Sequence, residues 1–331
     1  MTSATSVLIG VDVGCTTSAA GLVTPQGEVL ASVQASTNLG CGTATQTILE
    51  LVTDLALEAQ ARGLTLEAVG VGVPGLVDVD RGMLLTSAGE HVADLHGVPL
   101  AERIAEKTGV PTFLDNDVNV LALGEWMFGF GKGAASCVVV AIGTALGAGL
   151  ILDGRLIRGK KGYAGELGHV TIAFDGPTCP CGSRGCLGLY AGGRFIAEEG
   201  RRRAASEPSS LRGLAGGRLD AITAETVFTA AAAGDALARE IVDRACRALG
   251  AGLGAAINSM NPEVVIVTGG VVKSLVPLAA EVVRRTREYA LPDSLDSTAI
   301  HFVPGDKRHT VRGGAALVQY ERTRRAGKAA P

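Results

Sequence analysis

The sequence predicts an α/β protein made of two related domains, and three observations carry that expectation. Hydrophobic residues make up 47% of the 331 residues and aromatic ones only 4%. The core must then be built from Ala, Val, Leu and Ile, which suits buried parallel strands covered by helices. Apolar runs of strand length alternate with segments of helical periodicity. A unit of strand, Gly/Thr turn, strand, hairpin turn and strand occurs near the N-terminus and returns about half a chain later, as in an internal duplication.

The elements follow in order. Residues 7–11 read as a strand, then come a Gly-rich turn and a second apolar run at 19–23. Pro25-Gln26-Gly27 reads as a hairpin turn, with the returning strand at 29–33. Across 43–61, Ile48, Leu51, Val52 and Leu55 fall near one helical face. A buried strand at 69–73 ends at Pro74-Gly75, a short amphipathic helix covers 100–108, and a strand at 112–114 delivers Asp115, Asn116 and Asp117 to a helix over about 118–127. The echo follows: strands at 137–142, 148–152 and 155–157, with Gly143-Thr144 and Asp153-Gly154 as the turns. A long helix over 237–258, a strand at 264–267 followed by Gly269-Gly270, and a last helix from near Gly313 complete the pattern. The Arg-, Ser- and Gly-rich stretch 201–221 reads as a helix end and an exposed excursion, and the Arg-rich tail from Arg322 as a frayed, solvated end.

Bulk properties exclude several classes. A net charge of −3 favours neither nucleic acid nor an anionic membrane. The N-terminus lacks a signal-type pattern, and the apolar stretch 141–152 is too short and too broken to span a bilayer. Seven Cys, three of them within eight residues, point to reduced thiols and a metal rather than to a disulfide framework. A cytoplasmic location is expected.

Four constellations carry chemistry. Asp12-Val13-Gly14-Cys15-Thr16-Thr17 and Gly143-Thr144 each follow a buried strand. Glycines let backbone approach an anion, amide N–H groups and a Thr hydroxyl can cradle phosphate oxygens, and Asp12 can hold Mg2+; ordinary hairpin turns are the alternative. Asn116-Asp117 at a strand end can orient an alcohol and accept its proton, or can cap the helix that follows. His169, Cys179, Cys181 and Cys186 offer one imidazole and three thiolates, a closed tetrahedral set for a structural Zn2+. Ordering that loop would fix Glu166, whose carboxylate suits paired hydroxyls. Gly269-Gly270 after a buried strand can open onto a flat ligand such as adenine, or simply punctuate the strand.

Together these residues resemble the ROK sugar kinases and their relatives, from Ile9 to about Leu317. The matching pieces are Asp12-x-Gly14-x-Thr16, Val73-Pro74-Gly75, Asn116-Asp117-x-Asn119, Gly124-Glu125, Gly143-Thr144, Glu166-x-Gly168-His169, Cys179-x-Cys181-Gly182-x-x-Gly185-Cys186 and Gly269-Gly270. The resemblance implies the actin/hexokinase-like (ribonuclease H-like) duplicated fold, with ATP and substrate in the interdomain cleft. It divides the chain into a smaller domain of residues 1–117 plus 305–331 and a larger one of 118–304 that carries the zinc segment 169–186. It makes Asp117 the catalytic base, or at least the group that contacts and orients the attacking hydroxyl. Gly75, Asn116, Glu166 and His169 become substrate contacts, with His169 also a zinc ligand. Asp12, Gly14, Thr16, Thr17, Gly143 and Thr144 surround the phosphates and Mg2+, and Gly269 and Gly270 border adenosine. A homodimer or homotetramer is implied.

Departures from the family pattern bear on substrate. The first turn usually reads Asp-x-Gly-Gly-Thr-Lys; here Cys15 and Thr17 stand at the second Gly and the Lys. The cysteine segment usually continues Cys-Leu-Glu, that Glu contacting the sugar near its anomeric hydroxyl; here it reads Cys186-Leu187-Gly188. An Asn-Leu-Pro-Gly-Trp-like stretch of the glucokinases is replaced by Gly89-Glu90-His91-Val92-Ala93-Asp94. The expected substrate is therefore glucose-shaped but altered at the anomeric end, such as a seven-carbon cyclitol of the valiolone or valienone kind phosphorylated on its primary hydroxyl. A glucokinase or other hexose or amino-sugar kinase is the alternative. A non-catalytic sugar sensor is a third reading, which the retained Asp117 opposes. Repressor relatives carry a helix-turn-helix before the phosphate turn, and eleven residues before Asp12 are too few for one.

Overall fold

The computed structural model describes residues 5–37, 43–87 and 90–328. In chain order the elements are β1 (Ser6–Val13), β2 (Thr17–Val23), β3 (Val29–Ser36), α1 (Ala44–Ala61), β4 (Thr65–Val73), β5 (Gly75–Asp78), β6 (Met83–Ser87), α2 (Leu100–Thr108), β7 (Thr112–Asn116) and α3 (Asp117–Phe128). There follow β8 (Cys137–Ile142), β9 (Leu146–Leu152), β10 (Arg155–Leu156), α4 (Gly188–Ala191), α5 (Gly193–Ala204), α6 (Leu211–Leu214), α7 (Ala224–Ala232) and α8 (Ala236–Met260). The chain closes with β11 (Val264–Gly269), α9 (Val272–Leu275), α10 (Ala279–Thr286), α11 (Pro292–Asp296), β12 (Ala299–Pro304) and α12 (Lys307–Lys328).

The duplication is plain in the sheets. One has the order β3-β2-β1-β4-β7, the other β10-β9-β8-β11-β12. In the first, β1 pairs antiparallel with β2 and parallel with β4, and β4 runs parallel to β7. In the second, β11 runs parallel to both β8 and β12, and β10 pairs antiparallel with β9. By internal packing the chain forms two compact units: residues 1–135, 149–164 and 306–331, and residues 136–148 and 165–305.

In the first unit β1 is buried through Val7, Leu8, Ile9, Val11 and Val13 because helices lie against its sheet. α12 comes within backbone contact of the strands. A Cβ on Gly10 would lie 1.8 Å from the Val311 carbonyl oxygen, and one on Gly70 would lie 2.0 Å from that of Gly314. α1 covers the sheet with Ile48, Leu51, Val52 and Leu55, the face its periodicity marks, and Thr43 caps its N-terminus.

Several boundaries differ from the sequence expectation. α3 packs within the first unit, as does β10, so that unit extends past residue 117. α12 starts six residues before Gly313, at Lys307, since Gly313 and Gly314 are tolerated mid-helix where the helix presses on Val120 of α3 and on β1 and β4. The tail from Arg322 is helical to Lys328 and not frayed. Arg324 pairs with the fully buried Glu321, Arg322 with Glu67, and Arg325 lies over the Phe113 ring. Stretch 201–221 holds the end of α5 and all of α6. Gly89, in the altered glucokinase-like stretch, lies outside the described residues, as do the side chains of Glu90 and His91. Among the described residues no helix is long and apolar enough to cross a membrane.

Candidate functional site

The first turn runs from the end of β1 to the start of β2. Asp12 is the second-last residue of β1, held in register between Ala19 and Gly72. Thr17 is the first residue of β2, paired with Ser36, so its backbone belongs to the sheet and not to the turn as expected. The turn is fixed by the buried Thr37. Its hydroxyl donates to the Gly14 carbonyl at 2.6 Å and contacts the Ser18 hydroxyl at 3.0 Å, and its amide donates to the Thr16 carbonyl at 2.9 Å. The Asp12 carboxylate is occupied: Lys307 Nζ donates to Oδ2 at 2.6 Å and Thr310 Oγ1 to the same oxygen at 2.7 Å. Burial raises the Cys15 thiol, Asp117 adds to the rise and Lys307 opposes it, so Cys15 stays a thiol at neutral pH.

Asp117 opens α3 at the end of β7. The capping alternative for Asn116 is the arrangement present: its Oδ1 accepts the amides of Val118 and Asn119 at 3.0 and 3.2 Å. Its Nδ2 donates to the Gly75 carbonyl at 3.1 Å, tying the β4–β5 turn to the start of α3. Gly75 has φ of 117°, a backbone that glycine adopts readily. The surrounding protein pushes the Asp117 carboxyl up to about 7, the Asp12 charge adds to that, and the Val118 amide and Lys307 oppose it. A carboxylate titrating near neutrality can take up the proton of an attacking hydroxyl and release it again.

Behind this pair lies a buried ionic network that the sequence did not signal. Asp115, 2% exposed, accepts from Arg158 Nε at 2.8 Å, from the Asn116 amide at 2.7 Å and from Asn119 Nδ2 at 3.1 Å. Arg158 also reaches the buried Glu321 at 2.8 Å, and Arg324 pairs with the far side of Glu321. Burial by itself would lower the Arg158 guanidinium; Asp115 and then Glu321 more than offset that.

The second unit carries the other turn. Gly143 and Thr144 give their carbonyls to the amides of Gly193 and Arg194 at the start of α5, at 2.9 and 3.0 Å. Nothing lies within 4 Å of where a Cβ on Gly143 or on Gly270 would stand, so space is open over both backbones. Gly269 has φ of 111°, and a side chain there would strike Ile142.

The thiol cluster lies in the same unit. The ligand atoms of His169, Cys179, Cys181 and Cys186 all lie within 4.8 Å of one another. Cys181 Sγ is 3.8 Å from Cys186 Sγ, and Cys179 Sγ is 3.7 Å from His169 Nδ1. A zinc ion holds thiolates at about 2.3 Å, which makes the edge of its tetrahedron about 3.8 Å. The spacing therefore fits Zn2+. The Ser183 amide and Cys179 lower the Cys181 thiol, while burial and the two neighbouring thiols push Cys186 up to about 12. His169 turns its other nitrogen outward, Nε2 lying 4.0 Å from Glu166 Oε2, with both side chains about half exposed, at 50% and 55%. The cluster thus sets the ring from which Glu166 and His169 face solvent.

Sequence reasoning missed Thr37, Arg158, Lys307 and Thr310. None stands in a local motif; each reaches its partner through the fold. Thr37 alone had a signal, a Ser-Thr pair closing a strand opposite the Gly/Thr turn.

The ROK family profile matches residues 8–321. A glucokinase from Thermotoga maritima is 33% identical over 312 residues, covering 94% of this chain and 97% of that protein. A xylose repressor from Caldicellulosiruptor bescii is 30% identical over 78% of this chain and 65% of its own length. The crystal structure of a ROK family glucokinase from Streptomyces griseus, in complex with glucose and AMPPNP, superposes with a TM-score of 0.79 at 31% identity, over 95% of this chain and 99% of that one.

Proposed function

The chain belongs to the ROK family, and on that premise we propose that it transfers the terminal phosphoryl group of ATP to the primary hydroxyl of a hexose of the glucose type. The observation that carries the reading is Asp117, a carboxyl raised to about 7 at the end of β7 and close enough to Asp12 to feel its charge. The identity to glucokinases along nearly the whole chain supports it.

In this reading the substrate oxygen attacks the γ-phosphorus while its proton passes to Asp117. The bond between phosphorus and the bridging oxygen breaks, and its electron pair leaves with ADP. Asn116 contributes by holding Gly75 and the first turn of α3 in place. Glu166 and His169 bind sugar hydroxyls. Asp12, Gly14 and Thr16 hold the phosphates, with Thr17 behind them in β2; Gly143 and Thr144 are phosphate contacts too, and Gly269 and Gly270 border the adenosine. Asp12 would also hold Mg2+, which when bound neutralises phosphate charge.

Zinc belongs to the same proposal as a structural ion on His169, Cys179, Cys181 and Cys186. Purified protein is expected to carry about one zinc per chain, and Cys181→Ser less than about half of one, since a closed tetrahedral site needs its four ligands. Metal analysis checks this, and zinc-poor wild-type protein with intact thiols would end the assignment.

A second reading is favoured by one position. Gly188 begins α4, and a Cβ there would stand 3.1 Å from the carbonyl oxygen of Gly168, inside the Glu166–His169 segment. Position 188 thus adjoins the sugar-facing side chains yet offers no carboxylate. A substrate altered at its anomeric end, such as a seven-carbon cyclitol of the valiolone type, would not need one. The deciding experiment is a panel of glucose, mannose, N-acetylmannosamine and valiolone-type cyclitols scored by ATP consumption. A site that hydrogen-bonds a hydroxyl can separate such analogues by roughly 10^4. Glucose ahead by about a hundredfold ends the cyclitol reading. A cyclitol ahead by that margin, with glucose activity gained in Gly188→Glu, replaces the hexose reading.

A further inference from the structure

Lys307 opens α12, and its ammonium lies 2.6 Å from Asp12 Oδ2. It also lies over the first turn, 3.2 Å from where a Cβ on Gly14 would stand. Its charge reaches Asp117 and Cys15, lowering both against the effect of burial. One cation therefore stands among two carboxylates and the glycine turn, and it is only partly buried, its side chain 34% exposed. A polyphosphate arriving at this turn without that cation would meet Asp12 and Asp117 as like charges. The lysine stem has four flexible carbons, so its ammonium can shift by a few ångströms while α12 stays in place.

We propose that Lys307 is a phosphate-binding residue of the transfer reaction, held on Asp12 in the nucleotide-free protein and moved onto the terminal phosphate oxygens when ATP binds. This deepens the kinase reading and rests on its placement of the phosphates at the Asp12–Gly14 turn. The exchange leaves Asp12 open for a cation and gives the charge on the transferring phosphoryl group a fixed partner, the kind of positioned cation on which phosphoryl transfer relies. Lys307 neither gains nor loses a proton: the hydroxyl proton goes to Asp117 and the electron pair of the broken bond goes to ADP. Thr310, one helical turn on, keeps its hydroxyl on Asp12 and holds the carboxylate in place during the exchange.

The test measures binding of ATP and of AMP in Mg-free buffer without chelator, alongside turnover with MgATP. Wild type, Lys307→Met, Lys307→Gln, Lys307→Arg and Asp12→Asn are compared, each confirmed folded by circular dichroism. A charge-assisted contact predicts that Lys307→Met and Lys307→Gln bind Mg-free ATP about tenfold to a hundredfold more weakly, with AMP binding unchanged. Their kcat should fall by a similar factor, with partial recovery in Lys307→Arg. Mg-free ATP binding that is unchanged or tighter in both neutral variants overturns the proposal, since it would mean that the lysine only neutralises Asp12. The underlying reading fails separately: full MgATP turnover in Asp12→Asn would remove the phosphates from this turn and the proposal with them.

Discussion

Asp117→Asn is expected to lower kcat by about 10^2 to 10^4, the usual contribution of a positioned general base, with little change in nucleotide binding. The amide keeps the shape of the side chain and cannot take the proton. In the wild type, kcat/KM should fall on the acid side of a pKa near that of Asp117 in the substrate-free protein, about 7. The base is active only when deprotonated, so activity rises with pH through that value and levels above it. A wild-type profile flat from pH 5 to 8, or full turnover in Asp117→Asn, would take the base role away from Asp117.

The same raised pKa predicts a gain in stability. Asp117 titrates at an ordinary 3.8 when unfolded and at about 7 in the folded protein. Between those values the folded state binds the extra proton. Its contribution to stability is thus complete below about pH 4 and is lost as pH rises through about 7. At pH 8 the wild type holds a desolvated charge that the asparagine does not. Because Asp117 is partly open to solvent, the gain is set at about 1–3 kcal/mol. It should vanish near pH 4. Thermal melts at the two pH values read the difference directly.

Arg158→Met is expected to destabilise the first unit by about 3 kcal/mol or more, the cost of removing one partner from a buried ion pair. Asp115, 2% exposed, would lose its cation, while Glu321 would keep Arg324. Asp115 also accepts the Asn116 amide and Asn119 Nδ2. The damage should therefore reach the start of α3 and lower kcat as well. Adding Asp115→Asn to Arg158→Met removes the stranded charge and should recover roughly half of the lost stability, as expected for coupled sites. Equal melting temperatures for wild type and Arg158→Met would show that the pair contributes nothing net.

The legible part of the fold was the part with local causes. Ile48, Leu51, Val52 and Leu55 recur at helical spacing, and α1 buries that face. Leu100–Thr108 and Cys137–Ile142 match their expected limits because apolar pattern and turn residues bound them on both sides. The start of α12 was illegible. Gly313 and Gly314 read as a helix boundary in sequence, yet they sit inside the helix where it meets Gly10, Gly70 and Val120. The Arg-rich tail looked solvated because its partners, Glu67 and Asp80, lie far away along the chain.

By itself the sequence determined the duplicated strand–turn–strand frame, the His/Cys cluster from His169 to Cys186, and the placing of Asp117 at a strand end. Each is written in residues a few positions apart, where periodicity, turn chemistry and ligand spacing act directly. The tertiary structure alone decided what surrounds those groups. Lys307 reaches Asp12 across 295 positions, and Arg158 reaches Glu321 across 163. Charges so distant in sequence carry no spacing signal. They meet because α12 packs its small residues against β1 and β4, and that packing brings its first turn to the phosphate turn and Glu321 to Arg158.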